Sequence, residues 1–140
     1  MQPVMSIAEL HRFLENDFPQ LAGSSHAMTV TALEPGRATL QLLTGTPHLR
    51  PGGTVSGPTL FALADVAAYV AILAHIGPVA LAVTTNLSIN FLRKADPGLV
   101  TAQATIMKLG KRLAVLEIAI EGPDGELAAH AVATYSIPPR

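Results

Sequence analysis

The sequence predicts an α+β domain in which antiparallel strands wrap around one long, buried helix. Three observations carry this. The stretch Thr54–His75, TVSGPTLFALADVAAYVAILAH, is apolar at helical spacing and on nearly every side. The segments before and after it change to a period of two and are broken by Gly- and Pro-rich turns. Only 14% of the 140 residues are charged and 49% are hydrophobic, against ~25% charge in an ordinary soluble domain.

The elements follow in order. Ser6-Ile7-Ala8-Glu9 has the spacing of a capping box, and Ile7, Leu10, Phe13 and Leu14 form the apolar stripe of a short helix that stops near Pro19. From Ala27 a strand begins, with Met28, Val30 and Ala32 on one face. Glu34-Pro35-Gly36-Arg37 turns it, and Ala38–Leu43 returns as a hairpin partner. Thr44–Gly53 is a Gly/Pro loop. In the long helix, Val55, Leu60, Leu63, Val66, Tyr69, Val70 and Leu73 recur at helical offsets, with alanines filling the gaps. Ser56 or Thr54 supplies its cap, Pro58 suits the first turn, and Gly77-Pro78 ends it. Four strands follow: Ala80–Phe91, Leu99–Leu109, Leu113–Ile120 and Leu127–Ile137, the last two separated by Pro123-Asp124-Gly125.

No linker or repeat interrupts this order, so residues 1–140 read as a single domain, with a helical segment over 1–20 and a core over 27–137. The long helix rivals a membrane span in length. Asp65 at its centre would cost ~2.5–3.5 kcal/mol to insert, however, and strands follow, so no membrane partner is expected. Nine basic and ten acidic residues leave a net charge of −1 and no nucleic-acid surface. The absence of cysteine excludes disulfides, thiol catalysis and cysteine-bound zinc. His11, His26, His75 and His130 lack metal-ligand spacing, so neither a metal nor another cofactor is expected. The N-terminal residues lack the pattern of a signal peptide, which points to a cytoplasmic protein. Sparse charge leaves apolar surface that a homo-oligomer would cover.

The chemistry centres on Asp65. A carboxylate on an otherwise apolar helix costs several kcal/mol unless it is paired or used, and burial against polar neighbours is how a general base is tuned. A glycine just inside the helix start, Gly57, exposes backbone N–H at the positive end of the helix dipole, although a tight turn would also use one. Thr84 and Thr85 follow on a strand, where β-branched residues are ordinary. Arg50 and His48 lie in the loop before the helix, and Tyr69, one turn beyond Asp65, reads as packing.

Ser56-Gly57 through Phe61-Ala62-Leu63-Ala64-Asp65, the strand Thr84–Arg93 and the Gly110-Lys111-Arg112 turn, in this order, resemble the hotdog-fold acyl-CoA thioesterases of the PaaI-like group. The likeness runs roughly from Met28 to Tyr135. It implies an antiparallel sheet around a central helix and a homo-oligomer, a dimer or a tetrameric dimer of dimers. It also implies hydrolysis of a small or medium acyl- or aromatic-acyl-CoA. In that family the helix carboxylate, here Asp65, is general base or nucleophile, and the N–H at the helix start, here Gly57, polarises the thioester. A strand hydroxyl, here Thr84 or Thr85, holds the water. The family pattern N-x-x-x-x-x-H-G-G is altered: Arg50 stands at the Asn, Ser56 at the His and Pro58 at the second Gly. Arg50 and Ser56 are therefore candidates for substrate binding rather than for the original roles. Arg93, Lys94, Lys108, Lys111 and Arg112 are expected to converge at the mouth of a tunnel and to meet the CoA nucleotide. Two other readings share the fold: a non-catalytic acyl-CoA-binding protein, and an enoyl-CoA hydratase or dehydratase, which would need a His beside the carboxylate.

Overall fold

A computed structural model describes residues 1–19 and 28–140. Gln20, His26 and Ala27, at the boundaries proposed from sequence, lie outside the described residues. Helix α1 (Ile7–Asp17) begins at the Ser6 capping box, in which Glu9 N donates to Ser6 Oγ and Ser6 N to Glu9 Oε1. Strands β1 (Thr29–Glu34) and β2 (Arg37–Leu43) form the hairpin, and a short 3₁₀ turn, Thr46–His48, sits in the loop that follows. Helix α2 (Gly57–Ile76) is succeeded by β3 (Val83–Phe91), β4 (Leu99–Leu109), β5 (Leu113–Glu121) and β6 (Leu127–Ser136).

The six strands make one antiparallel sheet in the order β1-β2-β4-β5-β6-β3. Alternate residues of β4 and β5 are buried, from Val100 to Ile106 and from Ala114 to Ile120, and this inner face packs on α2. Ala64, Ala67, Ala68, Ala71 and Ala74 are fully buried. Their small side chains let the helix backbone lie close to the sheet, while Leu63, Val70, Ile72 and Leu73 fill the space around them. Each such Leu or Ile contributes ~1.5–3 kcal/mol by leaving water. Helix α2 is long and apolar enough to cross a membrane, but 67% of its most apolar window is buried inside the protein. This is the hotdog architecture.

Several local expectations change. Ser56, not Thr54, caps α2, because Val55 is held in an extended bridge to Leu49. Ala80–Ala82 are not strand: Ala82 N donates to Val79 O, closing a turn after Gly77-Pro78. In β1 the register shifts between Val30 and Ala32, so strict alternation fails there. His75, assigned nothing from sequence, is buried and bonded at both nitrogens. Its Nε2 accepts from Gly36 N at 2.8 Å, and Nδ1 lies 2.7 Å from Ala71 O, so the proton sits on Nδ1 and the ring ties the β1–β2 turn to α2.

Along one side of α2, Pro58, Phe61 and Ala62 are exposed and Asp65 and Val66 half-buried, spacings that place all five on one face. This face runs beside β3, an edge strand of the sheet, in the opposite direction: Phe61 neighbours Ile89 and Phe91, and Asp65 neighbours Val83 and Thr84.

Candidate active site

The β3–β6 ladder sets the site. Thr84 pairs directly with Tyr135, and the register then shifts so that Asn86 pairs with Thr134, leaving Thr85 as the extra residue of a bulge. Thr84 and Tyr135 therefore face α2 together. Thr84 Oγ1 donates to Asp65 Oδ1 at 2.6 Å, and the Tyr135 hydroxyl donates to the same oxygen at 2.7 Å while lying 2.9 Å from Asp65 O. Thr85 turns away, is exposed, and donates to Thr134 O. Of the two threonines named from sequence, Thr84 alone reaches the carboxylate.

Asp65 opens onto a cleft of about 230 Å³ lined by Phe18, Val66, Tyr69, Ala80, Ala82, Val83, Thr84 and Tyr135. The Tyr69 hydroxyl donates to Ala80 O at 3.0 Å, and its ring stacks on Tyr135 and meets the edge of Phe18. Tyr69 thus both packs and walls the cleft. Burial, and then the negative charge of Asp65, push the Tyr135 phenol far above the ordinary tyrosine range; burial and then Asp17 raise Tyr69 in the same direction. Both phenols stay protonated donors across the working pH range. Tyr135 has no signal in the sequence beyond being a strand position. The usable hint is chemical, since a buried phenol needs a partner.

Gly57 lies at the other end of the face. Of the first four amides of α2, Thr59 N is bonded to Ser56 Oγ, Leu60 N to Ser56 O, and Pro58 has no N–H, which leaves Gly57 N–H uncommitted among the described residues. Ser56 is a structural cap whose hydroxyl also meets Thr59 Oγ1 at 2.8 Å. A Cβ on Gly57 would come within 3.3 Å of the Phe91 ring. Beside it, Arg50, Arg93 and Lys94 line a pocket of about 330 Å³ with Thr54 and Gly57. Arg93 also pairs with Glu126 at 3.0 Å.

Gly57 and Asp65 of one chain lie eight helix residues apart, about 12 Å at 1.5 Å per residue. One expectation is corrected by this layout: within one chain the cations do not converge. Arg93 and Lys94 follow the end of β3, whereas Lys108, Lys111 and Arg112 sit where β4 turns into β5, at the opposite end of the sheet. An alternating strand pattern does not reveal at which end of the sheet a turn will fall. Among the described residues no group of His, Asp and Glu is arranged to hold a metal.

An antiparallel sheet around a buried helix, with one carboxylate held by strand hydroxyls, defines a hotdog enzyme. The sequence profile of the thioesterase superfamily matches residues 52–129, and the chain belongs to that superfamily, within its PaaI-like group. It is similar to a protein from Silicibacter sp. TM1040 assigned as a thioesterase: 45% identity over 99% of this chain and 96% of the other, with a TM-score of 0.88. The phenylacetic acid degradation protein PaaI of Thermus thermophilus is 28% identical over 86% of this chain and 99% of its own, with a TM-score of 0.74. A hypothetical thioesterase from Streptococcus pneumoniae solved with coenzyme A shares the fold at 17% identity, covering 91% and 98% of the two chains, with a TM-score of 0.78. The protein is a hydrolase acting on thioesters.

Proposed function

We propose that the protein hydrolyses small or medium acyl- or aromatic-acyl-CoA thioesters in the cytoplasm, with Asp65 as general base, in a site made by two chains. The observation that carries this reading is the Asp65 carboxylate, anchored through one oxygen by Thr84 and Tyr135 at the wall of an apolar, aromatic cleft. Asp65 takes a proton from water as the water oxygen attacks the thioester carbonyl. The resulting oxyanion is held by the Gly57 N–H of a second chain, where the helix dipole adds to the amide. Collapse breaks the C–S bond, the proton on Asp65 passes to the leaving thiolate, and the carboxylic acid formed loses its own proton to water, giving a carboxylate and free CoA.

A second chain is required because Gly57 and Asp65 of one chain are too far apart to share a carbonyl. Strand β3 supplies the means. It is an outer strand flanked by exposed Leu81, Val83, Phe91 and Leu92. Antiparallel pairing of two β3 strands about a two-fold axis brings the Phe91 end of one, with Gly57, to the Val83 end of the other, with Asp65. The Arg50, Arg93 and Lys94 pocket beside Gly57 is then suited to the phosphates of CoA. The coenzyme A bound by the Streptococcus protein of the same fold supports a CoA thioester as the class of substrate.

The test is thiol release from a panel of acyl-CoAs by wild type and by Asp65→Asn. Turnover by the wild type and its loss, by at least about 10²-fold, in a folded Asp65→Asn protein is the expected result. Undiminished turnover in the variant refutes the reading, and ligand binding without turnover in the wild type would favour a binding protein.

A further inference from the structure

We propose that Tyr135 is a positioning residue for Asp65: together with Thr84 it occupies Oδ1 and leaves Oδ2 as the basic oxygen presented to the cleft. The proposal rests on the reading of Asp65 as the base. Its evidence is a division of labour between the two carboxylate oxygens. Both hydroxyl bonds, at 2.6 and 2.7 Å, end on Oδ1, in the short range of hydrogen bonds to an ionised acceptor. Oδ2 has no partner among the described residues. No buried side-chain oxygen or nitrogen among them lacks a partner, so Oδ2 is open to solvent.

The clamp is rigid. The Tyr135 hydroxyl lies within reach of both the side chain and the main-chain oxygen of Asp65, and so fixes the carboxylate relative to its own helix turn. Its ring is buried at 3% exposure and stacked on Tyr69 at 6.3 Å. The bulge at Thr85 sets the second donor opposite the first. Among the described residues no Lys, Arg or His lines the cleft; Tyr69 on α2 lines it, and the charge of Asp17 at the end of α1 acts on the Tyr69 phenol. Hydroxyls rather than cations therefore hold the carboxylate, and losing one of them leaves it free to turn.

Tyr135→Phe keeps the ring and removes the donor. It should lower kcat by about tenfold or more and leave KM within about twofold, the pattern of a group that matters in the transition state alone. Thr84→Val should lower kcat in the same way, and Thr84→Ser, which keeps the hydroxyl, should not. Lower thermal stability with kcat unchanged would make Tyr135 a packing residue and overturn the proposal. Should the Phe variant not fold, replacing tyrosine by 3-fluorotyrosine in a Tyr69→Phe background gives a stronger donor at this position. With the donor strength altered, kcat should then differ from that of the Tyr69→Phe parent while KM stays within about twofold, and an unchanged kcat overturns the proposal. Activity retained in Asp65→Asn would instead remove the base assignment itself.

Discussion

The two outer strands of the sheet are finished differently. At β1 the edge is closed: the strand is broken by a bulge, α1 packs along it through Leu10 and Leu14, and His11 Nε2 accepts Val30 N–H at 3.1 Å. At β3 the edge is open, flanked by exposed apolar side chains and by the Phe61 face of α2. An edge strand left unprotected invites another strand, and proteins usually blunt it with charge, bulges or a covering helix. Both outer strands carry a bulge, at Val30–Ala32 and at Thr85, and at β1 a covering helix is added. Along β3, from Val83 to Phe91, there is no charged side chain. On the proposed reading, the difference gives stability to one edge and assembly, with catalysis, to the other.

The largest effect should come from charging the open side. Phe61→Asp places a carboxylate in the apolar face beside Ile89 and Phe91, so sedimentation should find a folded monomer and thiol release should fall to background. An assembled, active variant would break the contrast between the edges. Next in size, Gly57→Pro removes the N–H while keeping a residue that the first helical position accepts. Loss of one oxyanion donor should cost about 10²–10³ in kcat. Gly57→Ala adds the same Cβ near Phe91 but keeps the N–H, and so should retain much more activity; equal losses in the two variants would mean that crowding, not the donor, is responsible. The smallest effect belongs to the closed edge. His11→Ala leaves Val30 N–H to water and should lower unfolding stability by about 1 kcal/mol in urea, with kcat unchanged.

The fold was legible in the sequence because its signals are local and repetitive. The all-round apolar period of α2, the capping box at Ser6 and the turns at Gly36 and Gly125 each act within a few residues, and the structure places elements at all of them. Asp65 was legible for the opposite reason, as a charge that its surroundings do not explain. The rest of the site depends on long-range register. That Thr84 rather than Thr85 meets Asp65 follows from a bulge against β6, and Tyr135 arrives from 70 residues away. The two groups of cations likewise read as one in sequence, and the alternating direction of the strands sends them to opposite ends.

The central claim is that each active site takes Asp65 from one chain and Gly57 from another. Its most direct test is complementation between two inactive proteins, Asp65→Asn and Gly57→Pro, each assayed alone and after co-refolding. A mixed dimer contains one site with both defects and one with neither. Random pairing should therefore recover about a quarter of wild-type thiol release, from one intact site in half of the dimers. Mixed dimers isolated by differential tags that show no more activity than either parent would contradict the claim.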